Sequence, residues 1–528
     1  MGCLDSYGGP LPKDWIARHE ALEERILARE REFGMTPVLQ GFTGHVPGAI
    51  AVRFPGASLQ SINWIEWHTC LLNPLDPLFP KIARMFMDEQ TRRFGTDHFY
   101  AADPFIEMVP PSGDAKYLTA LGHAIYDGMA SSDPQAVWVL QGWSFMNQGR
   151  FWTQPRIRAF LDAVPDDQMV VLDLFCETTP MWNKTEAFCG KPWLWCNVQN
   201  FGNTVGLGAS LSRNNDGLQA ARRDPKSGRL SGLGFVNEGL GYNPVAFDLM
   251  FESAWRDKPV NLKGWIAAYA RDRYGRQNAD AQRAWLTLLA TALNTPPQSV
   301  SAITSAPNLA RSAVPPHQEL ARLAGAWRDL LEAADELGQA GAFRFDLVNV
   351  ARQVLADYAG VVHNNLVDAW NAKDPVAFEE ANARFLGLIR EMDELLATRP
   401  EFSLGRWLED ARRWGADPSQ RAKCEWNARR VLTVWGQTAA LNDYARKQWS
   451  GLLNGYYAPR WKRFLDAAND SLRRGQPFDE KKTNQQVLDW SLRWADQPES
   501  YSAEVRGDSV AVARSLWQKY GQSLTSSR

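Results

Sequence analysis

Two glutamates sit where an extended apolar run gives way to a loop. Glu107 lies in FYAADPFIEMVPP (residues 99–111) and Glu238 in GLGFVNEGLGYNP (232–244). A carboxylate at a strand end is ordinarily solvated. Glu107, however, has Phe105, Ile106, Met108 and two prolines for neighbours, and surroundings of low dielectric favour a protonated acid over a carboxylate. One carboxyl that delivers a proton and a second that attacks carbon or activates water is the pair needed to cleave a glycosidic bond. Trp64, Trp67, Trp143, Trp182 and Trp195 fall in or beside the same strand ends and loops. Flat indole faces stack on sugar rings and line concave pockets. Tryptophan occurs 23 times in 528 residues; helix packing in a large core accounts for such abundance equally well, so position has to decide between the two.

Other chemistries are poorly served. The net charge of −2, without a long run of one sign, gives no surface for a phosphate backbone or an anionic membrane. No apolar stretch is long enough to span a bilayer. Six cysteines without a CxxC pair, and seven scattered histidines, provide neither a disulfide scaffold nor a metal centre. No GxxxxGK[ST] loop is present to cradle a nucleotide, so neither a metal nor a cofactor is expected. The opening MGCLDSYGGPLPKDW lacks the basic-then-apolar pattern of a secretion signal. Its Met1-Gly2 and Ser6 match a myristoylation signal only formally.

The elements that must position these residues follow two rhythms. Up to residue 257, helical periodicity at 12–34, 78–94, 114–131, 153–164 and 244–256 alternates with short apolar runs at 36–42, 98–105, 136–143, 169–175, 192–198 and 232–238. Near-continuous hydrophobicity over six to eight residues marks parallel strands buried on both faces, and their alternation with helices predicts an α/β fold of the (β/α)8-barrel type. Six strands are countable, so either two irregular strands escape the pattern or the chain starts inside the barrel, which is then incomplete at its N-terminus with about six βα units. From 258 to 528 helical patterns follow one another at 261–274, 279–293, 317–338, 344–372, 376–397, 403–415, 419–433, 439–472, 485–497 and 507–520. This predicts an all-α domain.

A barrel of this kind does its chemistry where strands end and βα loops begin. Those ends carry Thr43-Gly44-His45, Asp103 through Glu107, Trp143, Glu177, Asn200-Phe201 and Asn237-Glu238. His45 is either a ligand contact or a structural histidine. Asp173 and Glu177 read as groups that support the barrel, and Cys176 has no histidine placed to activate it. Arg506-Gly507-Asp508 reads as a helix-start turn.

GMTPVLQGFTGHVP (34–47), FGTDHFYAADPFIEMVPPS (94–112), VWVLQGWSF (137–145), VVLDLFCET (170–178), PWLWCNVQNFG (192–202), GFVNEGLGYNPV (234–245), LTVWG (432–436) and LNDYARKQWSGLLNGYYAPRW (441–461) together resemble the α-N-acetylglucosaminidases of glycoside hydrolase family 89. The likeness runs from the first residue to near the C-terminus. It implies a barrel catalytic domain over 1–257 and a helical domain over 258–528 that packs on it and contributes to the pocket. It also implies retaining hydrolysis of terminal non-reducing α-linked N-acetylglucosamine without a metal, on a glycan carrying that sugar. Glu107 then matches the general acid/base and Glu238 the nucleophile. Trp64, Trp143, Phe201, Trp435 and Tyr444 match aromatic positions that shape the sugar pocket, and His45 is carried with them as a binding residue.

Three departures from the family pattern bear on this. Ile106 stands where asparagine is usual, and Gln199 where histidine is expected. Met1-Gly2 aligns within the family, after its N-terminal domain and first βα units, as a gene model begun at a downstream methionine, a fragment or a natural shortened homologue would. The family works outside the cytosol, in periplasmic, secreted or lysosomal settings, although no signal precedes this start. A sugar-binding homologue impaired in catalysis is the alternative from another class, and a homo-oligomer stays open.

Overall fold

The computed structural model describes residues 11–239, 241–296, 300–436, 440–497 and 499–525. Cys3, the Met1-Gly2 start and Ser6 lie outside them. The chain divides into two compact units. The first comprises Met1–Val198, Arg213–Val236 and Met250–Pro259; the second comprises Gln199–Ser212, Asn237–Leu249 and Val260–Arg528.

Among the described residues nine strands lie in the first unit: β1 (Val38–Gln40), β2 (His45–Val46), β3 (Leu59–Trp64), β4 (Trp67–Leu72), β5 (Phe99–Ala101), β6 (Val137–Gln141), β7 (Met169–Asp173), β8 (Trp193–Asn197) and β9 (Leu230–Phe235). Six of them, in the order β1-β5-β6-β7-β8-β9, form a parallel sheet. The order is sequential with no reversal, which is the winding of a barrel rather than of a doubly wound sheet. Each of the six apolar runs read from the sequence supplies one of these strands. Helices Phe79–Phe94, Ala115–Ala130 and Gln154–Leu161 fall between them as the periodicity predicts. Asp114 starts the second of these by accepting the backbone N–H groups of Lys116 and Tyr117, which satisfies two of the unpaired donors of a helix start. Trp138, Trp193 and Trp195 are fully buried in this unit's core.

The structure adds two elements. β2, β4 and β3 form an antiparallel sheet of their own. Its β3–β4 hairpin turns at Ile65-Glu66, and Ile65 takes φ 54° without the glycine or asparagine that usually signals such a turn. Helix Leu211–Arg223 also lacks an apolar stripe: Asn214 and Asn215 are among its buried residues, and Asn197 Nδ2 donates to Asn214 Oδ1 at 2.8 Å.

The second unit is helical and has a separate core. Helix Gly341–Asn371 is buried around much of its circumference, as befits a central helix; His317–Leu337 and Pro375–Leu396 pack against it. One expectation is corrected here. Residues 439–472 are not one helix, because within the described residues 440–452 form turns before a π-helical turn at Leu453–Tyr457 leads into helix Ala458–Arg474. Asp443, Arg446 and Gly451 take φ of 59°, 42° and 84°, and no helix continues through such angles. Arg506-Gly507-Asp508 is the helix-start turn expected: Asp508 Oδ1 accepts the N–H groups of Val510 and Ala511 at 3.0 and 2.9 Å.

Candidate active site

The segment after β5 carries Glu107 and is pinned from several directions. Asp103 accepts the backbone N–H of Gln141 at 2.8 Å and its side-chain amide at 2.9 Å, tying the ends of β5 and β6 together. Burial pushes the Asp103 carboxyl up to about 6. Trp138 Nε1 donates to the Ala102 carbonyl at 2.7 Å and Ser144 Oγ to that of Phe105 at 2.7 Å. His45 Nε2 lies 2.8 Å from the Pro104 carbonyl and Nδ1 lies 3.1 Å from Thr69 Oγ1. A carbonyl only accepts, so Nε2 carries the proton and, in the neutral ring, Nδ1 accepts from the threonine hydroxyl. Burial lowers the pKa of His45, which keeps the ring neutral. Both of its nitrogens hold protein structure.

Glu107 itself is half-buried. Trp64 Nε1 donates to its Oε2 and Trp143 Nε1 to its Oε1, each at 3.0 Å. Trp64 ends β3 beside the hairpin turn, stacked on Trp67 with ring centroids 5.2 Å apart; Trp143 opens the short helix Trp143–Asn147 that follows β6. The apolar box suggested by residues 105–108 is therefore not the immediate surrounding of the carboxyl group. Phe105 turns into the core, and two indole N–H groups meet the carboxyl oxygens instead.

Glu238 belongs to the second unit and is exposed. Its Oε2 accepts the Gly202 backbone N–H at 2.6 Å and its Oε1 the Tyr444 hydroxyl at 2.8 Å. Asn200 and Asn237 both donate to the Gly239 carbonyl, at 2.8 and 2.6 Å. The Tyr444 ring meets Trp435 edge-on, with centroids 6.4 Å apart. Phe201 is half-buried in the same loop that presents Gly202. Behind Tyr444, Arg460 makes two bonds to the Asp443 carboxylate, at 2.6 and 2.8 Å, with both side chains buried. The Asp443 N–H reaches the Thr433 carbonyl at 2.8 Å. These contacts fix the turn that carries Tyr444.

Gly202 takes φ 61°, and a Cβ there would come within 2.5 Å of the Tyr444 carbonyl oxygen and 2.9 Å of Ala445 Cα. Gly202→Ala is expected to destabilise the protein by about 1–3 kcal/mol through left-handed strain and backbone collision. Thermal melting checks it, and an unchanged melting temperature contradicts the close approach.

The remaining candidates divide by burial. Trp67, Trp182 and Trp195 are 4, 9 and 1% exposed; Trp182 and Trp195 pack in the first unit's core, Trp67 lies against Trp64, and Trp182 stacks on Trp193 at 5.7 Å. Asp173 accepts the N–H groups of Met181 and Trp182, both at 2.9 Å, while burial pushes its carboxyl up to about 6. Glu177 accepts the Val198 N–H at 3.0 Å. Burial drives the Cys176 thiol well above its ordinary range, the reverse of an activated nucleophile. Gln199 is buried and donates to the Gly208 carbonyl at 3.0 Å. The backbone donor at Gly202 escapes any reading of side-chain types, although the NFG of residues 200–202 marks its place. Among the described residues no group of three or more His, Cys, Asp or Glu side chains could hold a metal ion, and no helix is long and apolar enough to cross a membrane.

Residues 1–257 match the family model of the alpha-N-acetylglucosaminidase TIM-barrel domain, and residues 265–519 match that of the alpha-N-acetylglucosaminidase C-terminal domain. The chain belongs to the alpha-N-acetylglucosaminidase family. Within that family it is 37% identical to alpha-N-acetylglucosaminidase of Homo sapiens over 532 residues, an alignment covering 98% of this chain and 72% of the human protein. The family 89 glycoside hydrolase of Clostridium perfringens in complex with 2-acetamido-1,2-dideoxynojirimycin superposes with a TM-score of 0.88 at 28% identity, over 97% of this chain. A form of the Clostridium perfringens enzyme with two glutamates changed to glutamine, in complex with its substrate GlcNAc-α-1,4-galactose, also gives 0.88, at 27% identity over 98% of this chain. This member of the alpha-N-acetylglucosaminidase family spans 60% of the length of each of those two solved chains.

Proposed function

We propose that this chain is a retaining glycosidase that releases terminal non-reducing α-linked N-acetylglucosamine by double displacement, with Glu238 as nucleophile and Glu107 as general acid/base. Membership of the alpha-N-acetylglucosaminidase family over both domain matches carries the reading. The way each glutamate is held supports the roles. The Gly202 N–H and the Tyr444 hydroxyl orient the Glu238 carboxylate. In the first step a Glu238 oxygen bonds to the anomeric carbon as the glycosidic C–O bond breaks, and the departing oxygen takes the proton of Glu107. A protonated Glu107 keeps both indole bonds, because a hydroxyl oxygen still accepts, and its O–H is left to point at the leaving group. In the second step Glu107 removes a proton from water, whose oxygen displaces Glu238 from the anomeric carbon. Two inversions return the α-anomer. Trp64 and Trp143 beside Glu107, and Phe201, Trp435 and Tyr444 on the side of Glu238, are the aromatic residues proposed to meet sugar, and the substrate is a glycan ending in α-linked N-acetylglucosamine, met outside the cytosol.

An aryl α-N-acetylglucosaminide is expected to be hydrolysed, and the matching α-glucoside, α-N-acetylgalactosaminide and β-N-acetylglucosaminide at least about 10²-fold more slowly, since any site that pairs polar groups with one sugar's substituents leaves them unpaired with another. Proton NMR of the first-formed product is expected to show the α-anomer. The β-anomer would overturn retention, and N-acetylglucosamine binding without hydrolysis would leave a sugar-binding protein.

A further inference from the structure

The loop that follows β8 is an improbable conformation held in place. Gln199, Gly202 and Asn203 take φ of 60°, 61° and 52°, and each non-glycine residue in that region costs about 1–3 kcal/mol unless its surroundings impose it. The loop presents the Gly202 N–H, 2.6 Å from Glu238 Oε2. On its other side the Lys447 side-chain nitrogen donates to the Asn203 carbonyl.

Lys447 is an unusual anchor. It is 2% exposed, and its Nζ lies 5.2 and 5.6 Å from the ring centroids of Trp449 and Tyr242. Burial holds its pKa well below that of an ordinary lysine, and among the described residues no carboxylate offsets the effect. Burying a lysine amino group costs desolvation whether it stays charged or gives up its proton, and an apolar side chain of similar shape avoids that cost. Fold stability alone therefore gives no reason for a lysine at this position. Its hydrogen bond gives one, because the acceptor adjoins the residue that orients Glu238.

We infer that Lys447 is a positioning residue for hydrolysis: by gripping the Asn203 carbonyl it sets the loop that aims the Gly202 N–H at Glu238. This rests on the assignment of Glu238 as nucleophile. The influence of Lys447 on that carboxylate travels through one loop, from the Asn203 carbonyl to the neighbouring Gly202 N–H.

The test compares parent chain, Lys447→Met and Lys447→Arg by thermal melting and by steady-state kinetics on an aryl α-N-acetylglucosaminide. Methionine keeps length and apolar bulk while removing charge and donor. It is expected to melt at the parent temperature or above while kcat falls about 30- to 100-fold, the scale of a misplaced reacting group, with KM within about threefold. Arginine, which restores a donor, is expected to recover part of kcat. Parent-like kcat in Lys447→Met overturns the inference. So does a variant that fails to fold or melts several degrees lower, since that marks a structural lysine. An inactive parent chain instead overturns the hydrolase reading, and this inference falls with it.

Discussion

Glu238→Ala is expected to abolish turnover of an aryl α-N-acetylglucosaminide, by roughly 10⁴-fold or more, and sodium azide is expected to restore part of it. The loss follows from removing the atom that bonds to the anomeric carbon. The rescue follows from what stays behind: the Gly202 N–H and the Tyr444 O–H, which meet the two carboxylate oxygens at 2.6 and 2.8 Å, would then face an anion-sized space. Azide entering there attacks from the side opposite the leaving group, so the product is the β-glycosyl azide. Because Glu238 is exposed, its truncation is expected to leave the melting temperature within a few degrees of the parent. Unchanged hydrolysis, or an α-glycosyl azide from this variant, refutes the nucleophile assignment.

Glu107→Ala is expected to behave differently, and the difference identifies its role. A general acid contributes typically 10²- to 10⁴-fold, but only in proportion to how much the departing oxygen needs a proton. Substrates with poor leaving groups, such as a disaccharide, should lose about that much in kcat/KM. A dinitrophenyl glycoside should lose far less in the same parameter, while its glycosyl-enzyme accumulates because the base for the second step is gone. Azide, which needs no base, should relieve that block and give the α-glycosyl azide. Alanine is the informative change: glutamine offers a single acceptor oxygen, so one of the Trp64 and Trp143 N–H groups would confront an amide N–H₂. An equal fall for all leaving groups would mean that Glu107 is not the acid.

The readable features of the chain were those expressed as periodicity. Buried parallel strands announce themselves as apolar runs, and all six were legible, as were helices with a regular stripe. Where a polar residue does a core residue's job the signal vanishes: helix Leu211–Arg223 was hidden because Asn214 and Asn215 face inward. The β3–β4 hairpin was hidden because Ile65 occupies a left-handed turn position. The opposite error occurred at 440–452, where good local helix formers are overridden by the buried Asp443–Arg460 pair and the Asp443 N–H bond to Thr433. At the candidate site, strand-end placement proposes both glutamates, and the family motifs propose Trp64, Trp143 and Tyr444. Their connections were not visible. A strand-end tryptophan can turn inward or toward the rim, and Trp182 and Trp195 turn into the core. The donor at Gly202 is a peptide N–H, and the grip of Lys447 is on a peptide carbonyl. Neither has a side-chain signature.

The hydrogen bond between Tyr444 and Glu238 joins residues 206 positions apart. A ribosome adding about 5–20 residues per second would release Glu238 roughly 10 to 40 s before its tyrosine partner exists. During that interval the strands of the sheet can form, yet the carboxylate lacks one of its two donors and the turn carrying Tyr444 has not been made. On the proposed roles, catalytic competence is therefore one of the last properties this polypeptide acquires during synthesis. Defects near its far end, at Asp443 or Arg460 for instance, are expected to yield nascent chains that mature in bulk structure and still fail in chemistry.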